Sequence, residues 1–274
     1  MRAAGSPRRP FGFYRGASVK FTVGGVEHDL RVEAACSYPR LAFTDNLFAM
    51  FQAFLPHGIK PTRFVGAFWD QCLDRVLLDL VDRTDWIIVI DYDSVFEADT
   101  IQRLMAVALA TGYDAVAPLQ AKRDNGAPMF TPAGHSGIGM VELPNSYFEA
   151  LVQPVETAHF GCTILRSAAL KRLPAPWFQS TPNGSGHWGD AEDGEEDRVD
   201  ADIYFWRHWR KSGNTLGIAP QVAIGHAELQ ITWPGRDLKP VYQYPADYWA
   251  QGGRRPAKAW GSLEHAEAST CPSK

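Results

Sequence analysis

Trp86-Ile87-Ile88-Val89-Ile90-Asp91-Tyr92-Asp93 is the stretch on which the fold of this chain turns. Five consecutive apolar residues, rich in β-branched types, suit a strand buried on both faces, as in the parallel sheet of an α/β protein. They run straight into two carboxylates separated by one residue. Carboxylates that follow a buried strand project from the C-terminal edge of the sheet, where open α/β sheets bind their ligands. An Asp-x-Asp by itself is also an ordinary acidic turn, and it is the position after Trp86–Ile90 that gives this one a functional reading.

Outward from this strand, strand-like and helix-like patterns alternate from residue 28 on, the signature of βα units around a mostly parallel sheet with flanking helices. Leu30 to Ala35 reads as a strand ending at Cys36-Ser37-Tyr38-Pro39. A helix fits Asp45 to Leu55, with Thr44 as N-cap and Leu47, Phe48, Met50, Phe51, Phe54 and Leu55 recurring at helical spacing. Thr62 to Phe68 reads as a second strand and Asp70 to Asp82 as an amphipathic helix. After Asp93 come a helix from Asp99 to Ala110 stopped by Gly112 and a strand from Asp114 to Pro118. Residues 124–158 read as loops with short strands. Phe160 to Arg166 reads as a strand, with Ser167 capping a short helix to Leu173. Ala201 to Ser212 reads as a helix with Ile203, Trp206 and Trp209 on one face. Leu216 to Ile218 and Gln221 to Gly225 read as two strands closing at His226.

Composition bounds the function. Basic residues number 27 and acidic ones 31, a net charge of −4, which argues against a surface built to coat nucleic acid. A hydrophobic content of 45% excludes a wholly disordered chain. No apolar run is long enough to span a bilayer, and no apolar segment follows the N-terminal arginines. Cys36, Cys72, Cys162 and Cys271 are scattered without metal-binding spacing, so they read as reduced thiols of a cytoplasmic protein.

A second element is the order Asp202, Phe205, Arg207, Gly213, Pro220, His226: an acid opens an amphipathic helix, the helix stops at a glycine, and a strand delivers a histidine. Separately, Asp202 reads as a partner of the helix dipole and His226 as a packed side chain. Hard divalent cations such as Mg²⁺ and Mn²⁺ prefer oxygen ligands and use one or two carboxylates plus substrate phosphate oxygens, which suits Asp91 and Asp93.

Taken in order, these features resemble the GT-A glycosyltransferases, the nucleotide-diphospho-sugar transferases, and especially the family-2-like enzymes of bacteria and phages. The resemblance rests on Trp86 to Phe96, His159 to Arg166 with Pro176-Trp177-Phe178, Asp202 to Gly213, and Gly225-His226, and covers about residues 30–226. It implies a nucleoside-diphosphate sugar donor, a hydroxyl acceptor (glycan, lipid-linked or protein) and a bound Mn²⁺ or Mg²⁺. By resemblance Asp93 is a metal ligand, Asp91 holds the nucleoside or the metal, His226 is similar to a third ligand, and Asp202 matches the catalytic base. The glutamate that usually precedes that base is replaced by Ala201, so Asp200 or an acid of the preceding loop is the substitute expected at the acceptor. Leu73-Asp74-Arg75-Val76 keeps only the arginine of an Ala-Arg-Asn signature, making Arg75 a nucleotide contact. Ser37, Tyr38 and Asp70 occupy places that usually hold base and ribose, and Gly161, Cys162 and Trp177 fall where an acceptor or sugar pocket is expected.

The expected organisation is a loosely ordered extension over residues 1–27, a catalytic domain over 28–226 with a nucleotide half (28–123) and an acceptor half (124–226), and an aromatic-rich C-terminal arm over 227–274. With one base and no second nucleophile, inversion is the simpler outcome. Two other readings stay open: a nucleotidyltransferase, which would start from a glycine- and basic-rich loop that Cys36-Ser37-Tyr38-Pro39 does not resemble, and a degenerate module that only binds nucleotide or sugar. The acid-rich stretch Asn183 to Asp200 reads as a solvated loop or as a mobile lid over the donor.

Overall fold

In the computed structural model, residues 18–38, 41–122, 127–135, 143–189, 191, 195–235, 237 and 239–259 are described. They fall into two compact units that meet between Ala227 and Glu228. In chain order the first holds β1 (Ser18–Val23), β2 (Val26–Tyr38), α1 (Thr44–Phe54), β3 (Lys60–Val65), α2 (Trp69–Leu80), β4 (Trp86–Asp91), β5 (Ser94–Val95), α3 (Thr100–Thr111) and β6 (Ala115–Leu119). It continues with β7 (Phe130–Pro132), β8 (Gln153–Ala158), β9 (Cys162–Arg166), α4 (Ser167–Leu170), α5 (Ala201–Lys211), β10 (Leu216–Ala223) and β11 (Gly225–His226). The second unit is an antiparallel hairpin of β12 (Ile231–Pro234) and β13 (Pro240–Gln243), followed by α6 (Pro245–Ala250).

Nine strands form the main sheet in the order β1-β2-β4-β9-β6-β10-β8-β7, with β3 beside the C-terminal half of β2. β2, β3, β4, β6, β7 and β10 run one way, whereas β1, β8 and β9 oppose them. The mixed α/β class with a mostly parallel sheet and flanking helices is therefore as expected. The insertion of antiparallel β9 between β4 and β6 is not written in the periodicity, because a buried strand of either direction is simply apolar.

β4 sits in the middle and feeds both layers of core. Trp86, Ile88 and Ile90 pack with α1 and α3, while Ile87 and Val89 pack with α2 and α5. Each of these isoleucines is fully buried, a burial worth roughly 1.5–3 kcal/mol per side chain. α3 stops where expected, at Gly112, whose φ of 75° is the left-handed cap a glycine adopts without cost.

Several expectations are corrected. Residues 18–27 are not loose: β1 and the start of β2 form a hairpin from Ser18↔Arg31 to Val23↔Val26, and β1 buries Val19 and Phe21. Thr44 does not cap α1 with its side chain. It is the first helical residue, and Phe43 enters by donating its amide to the carbonyl of Tyr92 at 3.2 Å. The buried stripe of α1 is Asn46, Ala49, Met50, Ala53 and Phe54, leaving Leu47, Phe48 and Phe51 exposed. The two strands expected on either side of Pro220 are one strand, β10, because a register shift between Ala219 and Ala223 absorbs the residue that cannot donate to the ladder. On α5, Phe205 rather than Ile203 joins Trp206 and Trp209 in the core.

In the second unit the rings of Trp233 and Tyr248 pack together at 6.2 Å, whereas Tyr242 and Trp249 are exposed. Trp260 lies outside the described residues.

Candidate active site

β4 ends at Asp91, and the chain turns through Tyr92 and Asp93 into β5. The short β5–β11 ladder then sets His226 opposite Ser94, and the amide of Ala227 donates to the carbonyl of Asp93 at 2.7 Å. Residues 133 positions apart in the chain are thereby fastened together, with His226 Nε2 3.4 Å from Asp93 Oδ2. Asn46, fully buried on α1, holds the turn from the other side. Its Nδ2 donates to the carbonyls of Asp91 (2.9 Å) and Ser94 (2.7 Å), and its Oδ1 accepts from the hydroxyl of Tyr38 at 3.1 Å.

Asp91 Oδ1 accepts hydrogen bonds from Trp69 Nε1 at 2.6 Å and from the Ser37 hydroxyl at 3.0 Å. Burial pushes its carboxyl up to about 6; the Trp69 and Ser37 bonds act against that, and the charges of Asp93 and Asp202 add to it. Asp202, in the first turn of α5, accepts from the amide of Ile203 at 2.8 Å, and burial pushes its carboxyl up as well, with Asp200 adding to the rise. Carboxylates from two distant segments, Asp93 and Asp202, thus both act on Asp91 at the C-terminal edge of β4. Ring stacking of Phe160, Phe178, Phe205 and Trp206 fixes the base of α5 beneath them.

His159 underlies the turn. Its Nε2 lies 2.8 Å from the carbonyl of Pro118 and its Nδ1 takes the amide of Gly161 at 3.0 Å, so the ring is the neutral tautomer with the proton on Nε2. Burial holds its pKa down to about 4. Gly161 in turn accepts the amide of Asp91 at 3.3 Å, and a Cβ here would stand 2.5 Å from Gln120 Oε1 and 2.6 Å from Ser94 Oγ.

The other expected site residues separate into three groups. Ser37 is fully buried and directed at Asp91, which makes it a support for that carboxylate and removes it from contact with a base or ribose. Cys162 is also fully buried, within the core layer that contains Ile90 and Cys36, so it packs and does not line a sugar pocket; Gly161 is buried beside it. Asp70, Arg75 and Trp177 do come together, as walls of one cleft of about 420 Å³ that none of Asp91, Asp93, Asp202 or His226 lines. Asp200 is exposed at the N-cap of α5, its Oδ2 3.7 Å from Arg198 Nε. Tyr38 is half-buried and faces α1.

Trp69, Asn46, His159 and Gln120 were missed as site residues. An asparagine at a core-facing helical position was the available signal for Asn46; tryptophan beside Asp70 carried none.

Among the described residues no three His, Cys, Asp or Glu side chains form a ready-made cage for a metal. Asp93 and His226 nevertheless fit one. His226 Nδ1 lies 3.1 Å from the carbonyl of Ala121, which fixes the proton on that nitrogen and leaves the Nε2 lone pair facing the carboxylate of Asp93. An imidazole nitrogen and a carboxylate oxygen so placed can hold a proton or a cation between them. A hard ion that keeps waters and substrate oxygens as its remaining ligands suits such an incomplete protein set.

The fold and this edge define an α/β protein with a mixed, mostly parallel sheet, whose β4 gathers carboxylates and a histidine at its C-terminal edge. No protein-family model matches the sequence, and no curated protein matches it either. Among solved structures the chain is similar in fold to A197 from STIV, at a TM-score of 0.50 and 13% identity, over 77% of this chain and 93% of that one. GalNAc-T7 with UDP, GalNAc and Mn²⁺ scores 0.47 at 11% identity over 72% and 44% of the two chains. S. aureus TarS scores 0.39 at 11% identity over 72% and 60%. Among the described residues no helix is long and apolar enough to cross a membrane.

Proposed function

We propose that this protein is a metal-dependent, family-2-like glycosyltransferase that moves a sugar from a nucleoside-diphosphate sugar to an acceptor hydroxyl. The observation that carries this reading is the gathering of Asp91, Asp93 and Asp202 at the edge of β4, with His226 held against Asp93. Asp93 and His226 would hold Mn²⁺ or Mg²⁺, which supplies charge neutralisation for a departing diphosphate. Asp91, aimed by Ser37 and Trp69, sits at the nucleoside side. Asp202, with one oxygen on the Ile203 amide, accepts the proton of the acceptor hydroxyl as it attacks the anomeric carbon, giving inversion. Its upward-shifted carboxyl suits a base that must capture and then release a proton. A cytoplasmic setting, where such donors are made, belongs to the same reading.

The test is a screen of nucleoside-diphosphate sugars for Mn²⁺-dependent thermal stabilisation and slow hydrolysis. Asp93→Ala and His226→Ala are expected to lose the metal-dependent stabilisation. Asp202→Asn is expected to keep it and lose turnover by about 10²-fold or more. Full turnover by Asp202→Asn overturns the base, and a product with the donor's configuration overturns inversion. One observation favours a second reading, a module that binds without turnover: Ala201 is buried and apolar, so the position directly before Asp202 offers an acceptor no polar contact. Wild-type protein that binds nucleotide with Mn²⁺ but transfers and hydrolyses no sugar would establish it.

A further inference from the structure

The cleft of about 420 Å³ beside α2 has its own chemistry. One side is the exposed flank of the helix, with Asp70 and Asp74 one turn apart, Arg75 and Leu78; the other is the turn Ala175-Pro176-Trp177-Phe178. Among the described residues neither Asp70 nor Asp74 has a hydrogen-bond or ion-pair partner, and Arg75 rests its guanidinium 5.1 Å from the ring of Phe64. Two carboxylates and a guanidinium with unspent hydrogen-bonding capacity therefore face an apolar wall. Two negative charges against one positive disfavour a diphosphate there. Carboxylates do accept bonds from vicinal hydroxyls, a guanidinium donates to ring and hydroxyl oxygens, and a proline–aromatic wall takes the C–H face of a sugar ring. The volume lies within the usual range for small-ligand sites.

The cleft also joins the carboxylate edge through one residue. Trp69 precedes Asp70, meets Phe178 edge-on at 5.7 Å, and donates to Asp91 Oδ1. We propose that this cleft is a saccharide subsite that holds a neutral sugar of the acceptor, with Asp70, Asp74 and Arg75 as its polar contacts. That it serves an acceptor rests on the glycosyltransferase reading; that it binds a sugar does not. Asp70 and Arg75 thereby leave the nucleotide site that the sequence resemblance implied for them.

Ligand-observed NMR by saturation transfer, with glucose, galactose, N-acetylglucosamine, maltose and cellobiose at millimolar concentration, tests this on the full chain. At least one of these saccharides is expected to bind the wild type, with affinity reduced about tenfold in Asp70→Asn and Asp74→Asn, the loss that follows removal of a charged hydrogen-bond acceptor. Leu78→Trp, which narrows the cleft from an exposed position, is expected to abolish the signal. The stabilisation by UDP with Mn²⁺ should be the same in Asp74→Asn and Leu78→Trp as in the wild type. Binding of none of the five sugars, equal binding in every variant, displacement of the sugar by UDP, or displacement by spermidine would each overturn the subsite. Sugar binding that depends on Asp74, without any nucleotide–metal stabilisation of the wild type, would instead sink the glycosyltransferase reading and leave the subsite standing.

Discussion

Two buried groups a few residues from one another in space, Asp91 and His159, pull the pH dependence of stability in opposite directions. Asp91 moves from 3.8 up to about 6 on folding, so between those values the unfolded chain has already lost a proton the folded one still holds. Stability from this group falls as pH rises through that window, by about 3 kcal/mol. His159 moves from 6.5 down to about 4, so as pH falls below 6.5 the unfolded chain takes up a proton first, and stability falls with falling pH, again by about 3 kcal/mol. The contributions of these two groups therefore largely cancel between pH 4 and pH 6.5. Thermal scans across that range are expected to give His159→Gln a midpoint that falls with rising pH relative to wild type, and Asp91→Asn one that climbs with pH more steeply than wild type. Parallel profiles for the three proteins would show that neither group titrates as its surroundings dictate.

At the scale of elements, the Asp91–Asp93 turn is rigid because β5, β11, α1 and the start of β9 all grip it. Gly161 is the tightest point of that grip, since both Gln120 and Ser94 crowd the place of a Cβ and neither is the loose end of a long exposed chain. Gly161→Ala is expected to lower stability by about 1–3 kcal/mol, the usual cost of overpacking, and to weaken Mn²⁺ binding at the displaced turn. Unchanged denaturant unfolding and unchanged metal affinity together would refute the grip. The same elements explain what could be read from sequence. Trp86–Asp93, α2 and α3 were legible within a residue or two because each carries one strong signal: a continuous apolar run, a charged face opposite an apolar one, or a stop at Gly112. α1 misled because it is apolar nearly all round, and its small residues Ala49 and Ala53, not its phenylalanines, allow close approach to the sheet. The hairpin over 18–27 stayed hidden among exposed polar residues, because only Val19 and Phe21 of β1 face the core. Asp91, Asp93, Asp202 and His226, the residues of the proposed site, stand in the sequence as an ordered set. Trp69, Asn46 and His159 were not legible there, since their hydrogen bonds join segments whose adjacency only the sheet order creates.

For the whole molecule, the net charge of −4 conceals how few acids face the site. Asp85 lies at the opposite end of β4 from Asp91, paired with Arg31 at 2.6 Å, and Asp82 pairs with Lys171 at 2.9 Å. Burial, together with the charges of Asp93 and Asp202, instead raises the cost of ionising Asp91. A folded chain keeps such an arrangement only at the expense of stability, unless a cation enters and converts repulsion into attraction. Metal entry must then compete with protons, because the ligands bind as carboxylate and neutral imidazole. Mn²⁺ at a hundredfold excess over its dissociation constant is worth about 2.7 kcal/mol to the folded state, which for a chain of this size raises the melting temperature by about 5 °C or more. That shift is expected in full at pH 7.5, where the neighbouring Asp91 carries the charge that attracts the ion even though it is not a ligand, and at the same Mn²⁺ concentration to be smaller at pH 5, below the value of about 6 at which Asp91 loses that charge. Asp93→Ala should erase it at both pH values while leaving the fold intact. Equal shifts at the two pH values, or a shift that survives in Asp93→Ala, would mean that the ion binds elsewhere and that the acidic edge of β4 is not its site.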